Sequence, residues 1–236
     1  MKTIGLLGGM SSVASAEYYR LLNERVNAQL GGHAAPEIVL RSVDFGIFER
    51  CVRTQAWTEA ANYLSERAQQ VERGGADFLL LAANTPHRVA PQIAAAISIP
   101  FIHIVDVTAD AARAAGNTTL GLLGTEPVME PGFYRDRFAA GGIDVVVPEI
   151  EDQQLVHHSI FAELTRGVIS DRTRQQYMRI IDGLVEQGAL ALVLGCTELG
   201  LLITPNDVSG LPLYDTTSLH VDRAIELALE LRPLPS

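Results

Sequence analysis

The chain has one lysine, Lys2, two cysteines, one tryptophan, and no apolar run near the roughly 20 residues that a membrane-spanning helix needs. Each scarcity removes a class of function. Lys2 stands at the N-terminus, in no setting that suits a Schiff base, so pyridoxal phosphate is not expected, and no other cofactor is called for. Basic residues number 18 against 28 acidic ones, a net charge of -10 with no basic run, which argues against nucleic acid and anionic membranes as partners. The opening Met1–Gly9 is too short an apolar stretch for a secretion signal, so the protein reads as cytoplasmic, with Cys51 and Cys196 as free thiols. His157 and His158 are adjacent, without a carboxylate or cysteine at ligand spacing, and no metal site is expected.

What the chain does have is 236 residues, 47% of them apolar, enough for one large core or two smaller ones. Apolar runs of strand length alternate with helical spacing. Ile4–Leu7, Glu37–Asp44, Phe78–Ala82 and Pro100–Val105 read as strands, with helices at 13–30, 57–74 and 90–96. The pattern then restarts. A helix over 109–115 precedes strands at Thr119–Leu123, Val145–Val147, Leu190–Leu194 and Leu213–Tyr214, with helices at 153–166, 171–187 and about 217–231. Such alternation implies an α/β fold with mainly parallel sheets. Gly124 follows Gly8 by 116 positions and Cys196 follows Ala83 by 113, an offset uniform enough to suggest an internal duplication. Gly8-Gly9 lacks the third glycine of a dinucleotide fingerprint and the acidic residue after the second strand, so a nucleotide is not the expected ligand.

Two strand ends organise the chain. Leu79–His87 runs Leu-Leu-Leu-Ala-Ala-Asn-Thr-Pro-His and Leu192–Leu199 runs Leu-Val-Leu-Gly-Cys-Thr-Glu-Leu. Ligands of open α/β sheets bind outside the carboxyl ends of strands, where both runs turn polar. Cys196, before a helix start at Thr197-Glu198, has the setting in which N–H groups lower a thiol's pKa and yield a thiolate. Its alternative is a buried, inert thiol. Asn84 and Thr85 supply an amide, a hydroxyl and turn-forming backbone suited to a carboxylate, or only to a turn. Thr125 repeats the first glycine turn and suits an anion. His87 is either a general acid or base or a helix-end residue. Arg50, Arg53 and Arg166 are candidates to pair a second carboxylate, or are solvated surface residues.

Six stretches, Gly8-Gly9-Met10-Ser11, Ser42-Val43-Asp44-Phe45, Asn84-Thr85-Pro86-His87, Leu122-Leu123-Gly124-Thr125, Gly195-Cys196-Thr197-Glu198 and Asp215-Thr216-Thr217-Ser218-Leu219-His220, resemble those of the aspartate/glutamate racemase family at similar spacing. The likeness runs from about residue 3 to 230. It implies two similar α/β domains related by a pseudo-twofold axis, residues 1–106 with a returning 216–236 and residues 107–215, and an active site in the cleft between them. It also implies a homodimer that racemises an acidic amino acid without a cofactor. One thiolate removes the Cα proton and a second thiol donates one to the opposite face. Met10, Ser11, Asn84, Thr85, Thr125, Arg166, Thr197 and Glu198 are the substrate-binding positions this resemblance suggests, and Cys196 the catalytic one.

The chain departs from that pattern at Ala83, where relatives carry Cys or, in a subgroup, Thr, and at Val128, where many carry a hydroxyl. An alanine carries no proton. Losing one of two acid-base groups predicts a deficit of roughly 10²- to 10⁴-fold, or catalysis from one face. A racemase retaining Cys196 is the leading expectation. A single-cysteine lyase similar to the arylmalonate decarboxylases and a non-catalytic amino-acid-binding homologue are the alternatives.

Overall fold

β1 (Ile4–Gly8) is buried along its whole length, as expected of an apolar strand covered on both faces. The computed structural model, which describes every residue except 209 and 236, places β1 at the centre of a parallel sheet. The chain forms two compact units, Met1–Ile104 with His220–Ser236, and Val105–Leu219.

In the first unit β1 is followed by α1 (Ser12–Leu30), β2 (Ile38–Ser42), α2 (Phe45–Arg53), α3 (Trp57–Arg73), β3 (Phe78–Leu81), a 3-10 turn at Thr85–Val89, and α4 (Ala90–Ala95). The sheet order is β2-β1-β3, with Leu7 opposite Leu81 and Gly8 opposite Ser42. Leu79, Leu80 and Leu81 are all 0% exposed. Burial stabilises each by about 1.5–3 kcal/mol, so the end of β3 is a rigid support. The strand expected over 100–105 does not form. Phe101 makes one isolated bridge to Leu79, flanked by Leu79 N–H to the Pro100 carbonyl at 2.8 Å and Ile102 N–H to the Leu79 carbonyl at 2.9 Å. Helix α5 (Ile104–Ala114) then begins five residues earlier than the spacing suggests. Ile104 and Val105 are buried in its first turn, and burial selects apolar residues in a helix as readily as in a strand.

The second unit continues with β4 (Thr119–Gly124), α6 (Glu126–Met129), α7 (Phe133–Ala140), β5 (Asp144–Val146), α8 (Ile150–Ala162), a 3-10 turn at Leu164–Arg166, α9 (Asp171–Glu186), β6 (Ala191–Gly195), α10 (Leu199–Leu202), β7 (Leu213–Asp215) and α11 (Thr216–Ala228). Its sheet is parallel throughout, in the order β5-β4-β6-β7. β2-β1-β3 and β5-β4-β6 thus repeat one topology, the Phe101 bridge standing where β7 stands. The helix after each last strand passes to the other unit: α5 belongs to the second from Val105 onward, and α11 to the first from His220 onward. Asp215 caps α11, its Oδ1 accepting from Thr217 N–H at 2.9 Å and Ser218 N–H at 3.1 Å. Among the described residues no helix is long and apolar enough to cross a membrane.

Candidate active site

In the first unit the ends of β1 and β3 lie side by side, since Ala82 N–H donates to the Leu7 carbonyl at 2.9 Å. The chain leaves β1 through Gly9, whose φ of +93° strains any other residue; a Cβ there would lie 2.4 Å from the Val43 carbonyl oxygen. Gly9 N–H donates to Ser15 Oγ at 2.7 Å, and that hydroxyl donates to the Ser11 carbonyl at 2.8 Å. This amide is therefore occupied within the turn. Ser11 caps α1, its hydroxyl accepting from Ala14 N–H at 3.2 Å. The Met10 side chain is buried in the same apolar cluster as Ala83 and Leu81.

Ala83 and Asn84, 7% and 5% exposed, follow β3, and half-buried Thr85 opens the 3-10 turn. His87 holds this turn from behind. Its Nδ1–H donates to the Ala83 carbonyl at 2.9 Å, with the Asn84 carbonyl at 3.2 Å, and its Nε2 accepts from Ile104 N–H at 3.3 Å. These partners assign a neutral imidazole with the proton on Nδ1. Both nitrogens serve the backbone, so the helix-end alternative describes His87 and the acid-base alternative does not. Its ring packs edge-on against His103 at 4.6 Å between centroids, and His220 lies 5.9 Å away. His220 is fully buried: Tyr18 O–H donates to its Nδ1 at 2.9 Å, and its Nε2–H donates to the Ile102 carbonyl at 2.9 Å. Burial pushes its pKa down to about 4.

In the second unit Gly124 and Gly195 are paired across β4 and β6, so Thr125 and Cys196 leave the sheet as neighbours. The glycine at 195 suits a close approach. A Cβ there would lie 3.0 Å from both the Leu123 carbonyl oxygen and Val128 Cγ1. Val128 therefore acts as a packing residue over the two strand ends. Thr125 is buried, and its carbonyl accepts from Val128 N–H at 2.9 Å and Met129 N–H at 3.1 Å.

The Cys196 thiol is half-buried and donates from Sγ to Glu198 Oε2 at 3.0 Å; Glu198 is 5% exposed. The thiol pKa is raised well above its ordinary value, first by loss of solvent, then by the Glu198 charge and the hydrogen bond to it. Backbone N–H groups of Glu198 and Thr197 pull the other way and are outweighed. The direction is opposite to the lowering that the helix start at Thr197-Glu198 suggests in the sequence. The helix invoked to lower the pKa is α10, a single turn that starts three residues beyond the sulfur. Buried Tyr134 and Tyr177 also have raised pKa values, chiefly from burial and in part from Cys196.

Other candidates are more peripheral. Arg50 pairs with Glu59 at 3.0 Å and Arg53 with Glu49 at 3.6 Å, all on exposed surface. Arg166 is exposed at the end of its 3-10 turn, which is anchored through Leu164 in the cluster holding Leu199 and Leu202. Cys51 is a fully buried free thiol raised in pKa by burial. The sequence reading missed Thr217, 2% exposed, whose Oγ1 is buried without a hydrogen-bond partner. It follows β7, which pairs with β6 through Leu194 and Asp215. A buried hydroxyl left unpaired costs about 1–3 kcal/mol, and a bound polar ligand would relieve that cost. Among the described residues no group of three or more His, Cys, Asp and Glu could hold a metal ion.

Comparison with known proteins gives this geometry its context. A crystal structure of a candidate Asp/Glu racemase from Yersinia pestis is 41% identical, with a TM-score of 0.91 over 97% of this chain and 100% of that one. An aspartate racemase homologue from Pyrococcus horikoshii OT3 is 31% identical, with a TM-score of 0.86 and the same coverage. The broad specificity amino-acid racemase RacX of Bacillus subtilis is 23% identical over 160 residues, 68% of each chain. The family profile described as Asp/Glu/Hydantoin racemase matches residues 7–224, a span that runs from the end of β1 into α11 and includes both strand-end motifs. The protein belongs to the Asp/Glu/Hydantoin racemase family.

Proposed function

We propose that this protein catalyses proton transfer at the Cα of an acidic amino acid, aspartate or glutamate, without a cofactor. Cys196 carries the proton, and position 83, where the family pattern has a second acid or base, carries an alanine. The observation that carries this reading is the half-buried Cys196 thiol at the carboxyl end of β6, hydrogen-bonded to a buried carboxylate. Membership of a racemase family supports the reaction class.

A Cα proton is very weakly acidic, so the carbanion needs donors that act as charge develops. In this reading Asn84, Thr85, Thr125 and Thr197 hold the α-carboxylate and amine, with the orphan Thr217 hydroxyl as a further donor. With no acid at 83, a proton removed through Cys196 returns through Cys196 or from water. Exchange then outruns inversion. The test is Cα hydrogen–deuterium exchange of each enantiomer of aspartate and glutamate in deuterated water, for the wild type and Cys196→Ala. Exchange that disappears in the variant is expected. Absence of exchange from all four substrates in the wild type contradicts the proposal.

The hydrogen bond from Cys196 Sγ to Glu198 favours a second reading, a single-cysteine decarboxylase in which Sγ–H protonates the enediolate left when carbon dioxide departs. Carbon dioxide release from a panel of substituted malonates, without amino-acid exchange, would select it.

A further inference from the structure

We propose that His157 is a positioning residue for the turn after β4, its Nδ1 holding the Thr125–Glu126 peptide in the orientation that presents Thr125 beside Cys196. The inference rests on the proposed function above, in which Thr125 helps to hold the substrate, and deepens it. Gly124 of β4 pairs with Gly195 of β6, so Thr125 leaves the sheet next to Cys196. The peptide that joins Thr125 to Glu126 is fixed at both ends. Its carbonyl accepts from Val128 N–H at 2.9 Å and Met129 N–H at 3.1 Å, bonds that belong to α6. Its N–H donates to His157 Nδ1 at 3.0 Å, a bond made from α8, 31 residues along the chain. The first N–H of a helix has no partner within that helix, so its direction is set from outside. The His157 ring is itself held, packed on Phe161 at 4.9 Å between centroids, on a helix anchored by buried Val156, Ser159 and Ile160.

Fixing this peptide plane fixes ψ of Thr125, which at 159° keeps the residue extended and outside α6. Release of the plane lets Thr125 take a helical ψ and join α6, which redirects its side chain. Nδ1 can accept only in the neutral imidazole with its proton on Nε2. Protonation sets one N–H against another, and the bond is lost. Burial holds the His157 pKa below its usual 6.5, with His158 acting in the same direction, and outweighs the carboxylates of Glu126 and Glu130, which favour the charged ring. β4 carries no titratable side chain. At the ends of α8, Asp152 pairs with Arg179 of α9, Glu163 accepts from Thr173 Oγ1 of α9, and Arg166 of the following 3-10 turn is exposed. Tyr177 of α9 is bonded to Ser159 at 2.9 Å, and burial raises its pKa.

The experiment compares the full-length wild type with His157→Asn and His157→Ala. The Asn amide oxygen accepts at the position of Nδ1 and does not titrate. The first measurement is Cα deuterium exchange with aspartate and glutamate between pH 8 and 5, with kcat and KM separated. The second is the Glu126 amide signal in a proton–nitrogen correlation spectrum over the same range, without substrate. His157→Ala is expected to raise KM roughly 2- to 10-fold at pH 7, the effect of one hydrogen bond, with little change in kcat. His157→Asn is expected to recover most of that loss. In the wild type KM rises by a similar factor as pH falls through the His157 titration, and the Glu126 amide shifts with the same midpoint; in His157→Asn both of these pH-dependent changes disappear. A purely structural role would weaken both variants alike and would leave no acid limb for Asn to remove.

The proposal is overturned if His157→Ala leaves KM unchanged, if Asn fails to recover the loss, or if KM of His157→Asn rises in acid as in the wild type. Absence of exchange from the wild type overturns the proposed function, and the substrate-positioning role of His157 falls with it. The two failures are distinct, because only the second abolishes wild-type exchange.

Discussion

Acidification tests the buried imidazole of His220. In the fold it must be neutral, because Nδ1 accepts from Tyr18 and Nε2–H donates to the Ile102 carbonyl. Its pKa is about 4 in the folded protein against 6.5 for the free side chain. The unfolded chain therefore binds the proton more readily between these values. His220 contributes stability that is fully present above about pH 6.5 and is lost as pH falls toward 4. At about 1.4 kcal/mol per pKa unit, the full effect is about 3 kcal/mol, a large share of a stability of about 5–15 kcal/mol. Urea denaturation at half-unit steps from pH 7 to 4.5 gives the slope for the wild type and for His220→Gln. The variant starts lower, since Tyr18 O–H and the Ile102 carbonyl lose a partner, but its curve should be flatter by up to about 1.4 kcal/mol per pH unit. Carboxylates that titrate in the same range contribute to both proteins and cancel in the difference. Equal slopes for the two proteins between pH 6.5 and 4.5 would refute the reasoning.

Ala83→Cys puts a thiol at the end of β3 and is expected to raise racemisation of the preferred substrate by roughly 10²- to 10⁴-fold, measured by chiral chromatography in both directions. Gly195→Ala forces a methyl group against the Leu123 carbonyl and Val128, and is expected to cost about 1–3 kcal/mol by urea denaturation and to suppress exchange by shifting Cys196. In the native wild type at pH 7 Cys196 should alkylate slowly, accelerating as pH rises above 9, while fully buried Cys51 stays unmodified until the protein unfolds. Rapid alkylation of Cys196 at pH 7 would mean that the N–H groups of Thr197 and Glu198 outweigh the carboxylate.

The parallel α/β architecture was legible because β1, β3, β4 and β6 are buried on both faces and so stand out as apolar runs between turn residues. The repeated sheet order is the same duplication that the spacing of Gly8, Ala83, Gly124 and Cys196 suggested. Pro100–Val105 misled because an apolar run does not say whether burial comes from a sheet or from a helix start, and here it comes from both in succession. Helix α7 left no clear period, since Tyr134 and Phe138 are buried beside charged Arg135, Asp136 and Arg137. The thiol's protonation state was hidden for a different reason. Glu198 was visible two residues after Cys196, but whether its carboxylate turns toward the sulfur depends on rotamers and on α10. His87 and His220 were equally unreadable in role, because their partners Ile104 and Ile102 are 17 and 118 residues away. Thr217 carries no local signal that its hydroxyl lacks a partner.

The most direct test of the proposed catalysis by Cys196 alone is the stereochemical fate of exchanged substrate. Each enantiomer of aspartate and glutamate is incubated with the wild type in deuterated water, and deuterium incorporation is measured together with enantiomeric composition. The account predicts Cys196-dependent deuterium at Cα with retained configuration, inversion lagging far behind exchange. Inversion at a rate matching exchange would contradict it, because a second acid would then have to act although position 83 supplies none.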